Sequence, residues 1–170
     1  MGCNQGKSKN KIDYNNVQYK DTIIFIPPIN EGLVIKVYDG DTITIASKLI
    51  GHDFEPVQNS PFYRFSVRIN NIDCPEIRTK NMNEKKCAII ARDLLQDKLM
   101  NKVVTLKNVR LEKYGRILAD VFLDEENVSE ILLNRNLAVI YGGKKKNCPD
   151  DWYEYYLLKN EPLNENNEVK

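Results

Sequence analysis

Alternation of apolar and polar residues is cleanest over Phe62–Asn70, where Phe65, Val67 and Ile69 take one side and Arg64, Ser66, Arg68 and Asn70 the other. A period of two predicts a half-buried strand. Extended segments also fall at Thr22–Ile26, Leu33–Tyr38 and Asp41–Ser47, the last two joined by the turn dipeptide Asp39-Gly40. The period then changes. Cys87, Ile90, Ala91, Leu94, Leu95 and Leu99 recur at helical spacing, behind Asn81 with Glu84 three positions on, a capping-box pattern. Val103–Arg110 and Arg116–Leu123 return to strand character, separated by the turn-like Leu111–Gly115. A second helix opens at Asn127, with Glu130 three positions later, and runs to about Asn136. A short strand, Leu137–Tyr141, leads into the Gly142-Gly143-Lys144-Lys145-Lys146 loop. A third short helix starts near Pro149 and carries Trp152, Tyr155 and Tyr156.

Three strands, a helix, two strands and then helices predict a mainly-β member of the α+β class. The expected architecture is a five-stranded OB-type barrel with a helix between strands three and four and two further C-terminal helices. The expected organisation is a flexible basic arm over residues 1–21, a globular domain over 22–158 and an acidic flexible tail over 159–170. Residues 48–61 form a long connection within the domain. Fold alone does not give function.

Length and composition narrow the field. A chain of 170 residues with 42% hydrophobic and 29% charged residues fits one globular domain. The longest apolar run, Thr22–Pro28, is strand-length, well short of the roughly 20 residues that a spanning helix needs. Residues 1–20 lack the apolar core of a secretory signal, so the expected location is cytoplasmic. Cys3, Cys74, Cys87 and Cys148 form no CxxC pair, and the only histidine, His52, sits in a loop-like stretch. Zinc sites and histidine-based triads therefore have nothing to build on, and the thiols read as reduced. The net charge is only +1 but unevenly placed: Lys102 to Arg116 carries five basic residues against Glu112. A polyanion would be met locally, at that stretch.

Four segments set charged residues beside turns: Tyr38-Asp39-Gly40-Asp41-Thr42, Arg64 to Arg68, Asn71-Ile72-Asp73-Cys74-Pro75-Glu76, and Glu112-Lys113-Tyr114-Gly115-Arg116. Each alone is an ordinary turn or strand end. Together they supply carboxylates for a hard cation, one more for proton transfer, and two guanidinium groups for a phosphate. The order D-G-D-T, an Arg five residues before D-x-P-E, and then K-Y-G-R resembles the staphylococcal nuclease (thermonuclease-like) family over about residues 33–141. The resemblance implies Asp41 and Asp73 as calcium carboxylates, and Cys74 as a backbone-carbonyl ligand where the namesake has Thr. It implies Arg68 and Arg116 as phosphate-binding arginines and Glu76 as general base. Lys113 and Tyr114 would contact a nucleotide's terminal phosphate, and Tyr141 would stack on a base. Two departures stand out: the longer connection at 48–61, and a C-terminal helix that is short and acidic where the namesake's is longer and basic.

The start, Met-Gly-Cys-Asn-Gln-Gly-Lys-Ser, fails as a phosphate-binding loop, because Gly2 and Gly6 enclose three residues instead of four and no strand precedes them. Gly2 after the initiator Met and the adjacent Cys3 fit myristoylation and palmitoylation, although position 6 is Gly instead of Ser or Thr. Lys7, Lys9 and Lys11 would add attraction to an anionic inner leaflet. The arm thus reads equally as a soluble disordered segment or a lipid anchor.

The expected activity, by resemblance, is calcium-dependent hydrolysis of DNA and RNA by a monomer, with single strands favoured and 3′-phosphate ends left. The competing expectation is a non-catalytic nuclease-like module that binds single-stranded nucleic acid or a protein partner.

Overall fold

The computed structural model describes residues 12–51, 55–143 and 146–161. Gly2, Cys3 and His52 lie outside the described residues, as do Lys144, Lys145 and the end of the acidic tail.

Three strands open the domain: β1 (Glu31–Val37), β2 (Thr42–Ser47) and β3 (Tyr63–Ile69). A two-residue strand, β4 (Ile72–Asp73), precedes helix α1 (Met82–Leu99). Then follow β5 (Val103–Leu111), β6 (Ile117–Leu123), the short β7 (Glu126–Asn127), α2 (Val128–Asn134), β8 (Val139–Ile140) and α3 (Trp152–Leu157). The sheet order is β3-β2-β1-β5-β6-β7. A parallel pairing of β3 with β6 closes the first five strands into a barrel, so the OB-type architecture is the observed one.

The barrel interior is filled by the inward residues of each strand, including Val34, Ile43, Ile45, Val67, Ile69, Val104, Ala119 and Val121, all fully buried. Burying one such Val, Leu or Ile stabilises the fold by roughly 1.5–3 kcal/mol. Cys87, Ala91, Leu95 and Leu99 of α1 join the same core, and Trp152 and Tyr156 of α3 pack into it as well. Gly32 is required by close approach, since a Cβ there would stand 2.7 Å from Ile45 Cδ1. Strand β1 carries a bulge between Val34 and Lys36, so Ile35 and Lys36 both face outward before Val37 turns in again.

The helix starts agree in part with the capping pattern. Asn81 accepts from the backbone of Asn83 and Glu84, and Asn127 from that of Ser129. Glu84 does not close a box on Asn81; its carboxylate takes the backbone N–H of Glu76 instead, at 3.1 Å. Thr22–Ile26 is not a strand. Its apolar side chains are exposed, Ile23 at 94%, and the run of Pro27 and Pro28 behind it removes two ladder donors. The described part of the 48–61 connection folds back on itself, with Val57 donating to the Leu49 carbonyl and Gly51 to that of Glu55. Its residues line a groove with Gly32, Leu33 and Val103, away from the charged cluster described next.

Candidate active site

Barrel closure brings the charged segments together. Thr42 pairs with Arg68 across β2 and β3, and Arg68 pairs with Leu118 across the closing β3–β6 seam. Arg116, one residue before β6, therefore arrives beside Arg68 and Asp41. The little β4–β8 pairing sets Ile72 opposite Ile140, and the Tyr141 N–H donates to the Asn71 carbonyl at 2.9 Å. This delivers Asp73 and Tyr141 to the same edge. Gly40 fixes the remaining approach: a Cβ there would lie 2.9 Å from both Cys74 Sγ and Ala91 Cβ. The Asp39-Gly40-Asp41 turn can thus sit directly on α1 and the Cys74 side chain.

The resulting cavity has a volume of about 280 Å³. The nine residues to which the resemblance gives site roles all line it: Asp41, Arg68, Asp73, Cys74, Glu76, Lys113, Tyr114, Arg116 and Tyr141.

Its floor is a buried ion network. Arg68 donates through Nη1 to Asp41 Oδ2, and through Nη2 to Asp73 Oδ1 at 3.2 Å and to the Ile72 carbonyl at 3.1 Å. Asp41 and Asp73 are only 6% and 2% exposed. The Thr42 hydroxyl donates to Asp41 Oδ1 at 2.9 Å, and the Cys148 thiol to Asp73 Oδ2 at 3.7 Å. Burial alone would lower the proton affinity of Arg68, but the two carboxylates win and hold it above its ordinary value. The Cys74 thiol is pushed well up by burial and by its acidic neighbours, so it stays protonated. Asp39, half-buried and next to Asp41, has its carboxyl raised to about 6, chiefly by desolvation.

The rim is looser. Glu112 grips Arg116 with both oxygens, at 2.7 Å to Nε and 3.1 Å to Nη2. That leaves Nη1 directed toward Thr42 Oγ1 at 3.4 Å. The hydrogen bond from Arg116 holds the Glu112 carboxyl below its ordinary value. Lys113 and Tyr114 are exposed, with the ammonium 4.8 Å from the ring centroid. Tyr141 packs with its centroid 5.8 Å from the Arg68 guanidinium. Glu76 stands exposed opposite Lys146, whose Nζ lies 2.9 Å from Asp73 Oδ1 and 3.4 Å from Glu76 Oε1.

The sequence model of staphylococcal nuclease homologues matches residues 66–162, more than half of the chain. The chain belongs to the staphylococcal nuclease homologue family. It is 28% identical over 140 residues to a probable endonuclease of Schizosaccharomyces pombe, covering 69% of this chain and 61% of that protein. It is also 28% identical over 113 residues to an uncharacterized endonuclease of Escherichia coli, covering 65% of this chain and 60% of the relative. The chain thus spans about 60% of the length of these curated relatives.

Staphylococcal nuclease homologues are generally calcium-dependent, and the donor set can be judged against that. Asp41 and Asp73 converge on one guanidinium, so two carboxylates face a common point. Among the described residues no group of three His, Cys, Asp or Glu side chains surrounds a metal-sized space. The oxygen-only chemistry fits a hard cation, with the rest of the shell left to a carbonyl, waters and substrate.

Three charged lining residues are given no role by the resemblance. Asp39 reads as a turn former in the sequence. Glu112 belongs to the charged turn, where only its four-residue spacing from Arg116 hints at the pair. Lys146 reads as part of a charged run, and its contact with Asp73 is a long-range one that the linear pattern does not show. The Cys74 side chain is less free than a carbonyl ligand would require, because Gly40 packs against it.

Proposed function

We propose that this chain is a calcium-dependent phosphodiesterase that hydrolyses DNA and RNA with little sequence specificity, cutting on the 5′ side of the phosphate to leave 3′-phosphate ends. What supports the reading is the convergence of Asp41, Arg68, Asp73, Glu76 and Arg116, drawn from separate segments, on one cavity. Asp41 and Asp73, with the Cys74 carbonyl, would hold the ion. Bound there, it would act as a Lewis acid on the phosphoryl oxygen.

This chain's own residues do the rest. Arg68 and Nη1 of Arg116, which Glu112 does not hold, present donors to the scissile phosphate from the floor and from the rim, and Glu112 keeps the Arg116 fork oriented. Glu76 takes the proton of the attacking water as the water oxygen bonds to phosphorus. The 5′ oxygen leaves as its bond to phosphorus breaks and takes a proton from solvent. Lys113 and Tyr114 engage a terminal phosphate, and Tyr141 supports a base. These contacts use charge and stacking, which engage the backbone and base faces and leave base edges unread.

The arm extends the proposal to an anionic inner leaflet. Acylation at Gly2 and Cys3, with Lys7, Lys9 and Lys11, would supply the two signals that stable anchoring takes. Among the described residues, no helix is long and apolar enough to cross a membrane. Gly2→Ala is expected to shift the protein from the membrane to the soluble fraction of cells. Wild-type protein found wholly in the soluble fraction removes the anchor from the reading.

The deciding experiment is cleavage of fluorescent single-stranded DNA with calcium or with a chelator, with Glu76→Gln alongside. Cutting that needs calcium and falls roughly 10²–10⁴-fold in the variant is the expected result. Folded protein that binds the strand without cutting it would make the chain a nucleic-acid-binding module instead.

A further inference from the structure

The outer face of β1, β2 and β3 holds a second groove, of about 490 Å³, lined by Ile35, Lys36, Thr44, Arg64 and Ser66. Two cations and two hydroxyls face it, and no carboxylate lines it. The bulge in β1 produces this face by turning Lys36 outward, opposite Thr44. Thr44 in turn pairs with Ser66, so Lys36, Thr44 and Ser66 form one row across the three strands. Arg64 lies two residues further along β3 on the same face. It is exposed and makes no ion pair or side-chain hydrogen bond among the described residues. Among the described residues Lys36 approaches only the ring of Tyr38, at 5.8 Å.

The groove is continuous with the candidate active site through the sheet register. One alternation along β2 and β3 from the Thr44–Ser66 pair is the Thr42–Arg68 pair, and both of those residues take part in the site's hydrogen bonds. Side chains two residues apart on a strand are about 7 Å apart. Arg64, Ser66 and Arg68 therefore make a graded line of donors, about 14 Å long, that ends at the cavity floor. Tyr38, exposed beside Thr42, flanks the passage. A cavity of about 280 Å³ has room for one nucleotide unit, so a longer strand must leave it over the surface.

We infer that the Lys36–Thr44–Ser66–Arg64 groove is a phosphodiester-binding subsite, which holds the backbone of single-stranded nucleic acid on its way to or from the cavity. The inference rests on the nuclease reading for its direction, while the groove's own chemistry, cations and hydroxyls without acids, selects a polyanionic strand. Unpaired Lys36 and Arg64 reach phosphates without first breaking an internal ion pair, unlike Arg68 and Arg116.

The test compares the full-length protein with Lys36→Gln/Arg64→Gln and with a charge-matched control at the helical end, Arg135→Gln/Lys159→Gln. Fluorescence anisotropy of a labelled twelve-residue oligothymidylate, with chelator present, is followed from low to high salt. Each phosphate contact on a single strand contributes about 0.7 to the log–log salt slope, so the groove variant should lose about 1.4 of it. Its affinity at low salt should fall roughly tenfold, with the control unchanged. In parallel, cleavage of a thymidine dinucleotide in calcium should be the same for wild type and groove variant, because two nucleotides do not reach Arg64. An unaltered slope, equal losses in the control, or absence of oligothymidylate binding by the wild type overturns the subsite. If the dinucleotide is not cleaved by any form while the groove variant still loses its slope, the nuclease reading fails and the subsite stands.

Discussion

The two sides of the candidate cavity are held by opposite means. On the floor, Asp41 and Asp73 are almost wholly buried, and Arg68 joins both while also donating to the Ile72 carbonyl. Arg68 and Asp41 sit on or next to barrel strands, and Ile72 and Asp73 form the short β4 that pairs with β8. On the rim, Lys113 and Tyr114 project from a four-residue turn, closed by Gly115 donating to the Glu112 carbonyl at 2.8 Å with Gly115 at φ +81°. That left-handed backbone suits glycine. The floor is preorganised, with its electrostatic terms enlarged by burial. The rim contributes contacts that cost the fold little and are screened by solvent. A site built this way keeps its reacting geometry rigid and leaves substrate capture adaptable.

The comparison is broken most severely at Arg68. Among the described residues, Arg68→Met would leave buried Asp41 with no ion pair and buried Asp73 with Lys146 alone, and removing one partner of such a network costs about 3–5 kcal/mol. Urea titration should show that loss. Millimolar calcium should restore part of it if the two carboxylates bind the ion, since a ligand specific to the native state stabilises it. A variant as stable as wild type would mean that the floor is not held by this pairing.

Tyr114→Ala probes the rim. The ring is 73% exposed, so stability should stay within about 0.5 kcal/mol of wild type. Affinity for a short oligonucleotide with a terminal phosphate should drop by about 1 kcal/mol, the size of one lost hydrogen bond. Loss of stability with no loss of affinity would place Tyr114 in the structural half of the comparison.

Glu112→Gln tests the boundary between the two sides and carries the smallest effect. The folded carboxyl titrates below its ordinary value because Arg116 donates to it. A depressed carboxyl contributes stability above its unfolded pKa and loses it as pH falls through the folded one. The wild type should therefore be more stable than the variant by a few tenths of a kcal/mol at pH 7, given that Arg116 is one-third exposed. The two melting temperatures should converge as pH falls below the ordinary carboxylate range. A gap that persists there would assign the effect to packing.

Strand and helix order was legible from periodicity because burial on one side of each element leaves its mark at every second or third position. Arg64, Ser66 and Arg68 alternate with Phe65, Val67 and Ile69 in the chain as they do in space. The turn pattern of Asp41, Asp73, Glu76 and Arg116 was likewise visible as residue types beside breaks in that periodicity. Thr22–Ile26 misled because an apolar run has the same composition whether or not a neighbouring strand exists to pair with it, and among the described residues none does.

What lay beyond the linear pattern is whatever depends on which elements become neighbours. The β3–β6 seam sets Arg116 beside Arg68, the β4–β8 pair brings Tyr141 to Asp73, and Lys146 reaches the same carboxylate. The bulge at Ile35 aims Lys36 along the outer groove, which no period of two foretells. Local sequence sets propensity and facing through short-range sterics and burial. Registers, seams and bulges arise from long-range pairing, where the same residues could be satisfied by several partners until the closed barrel selects one.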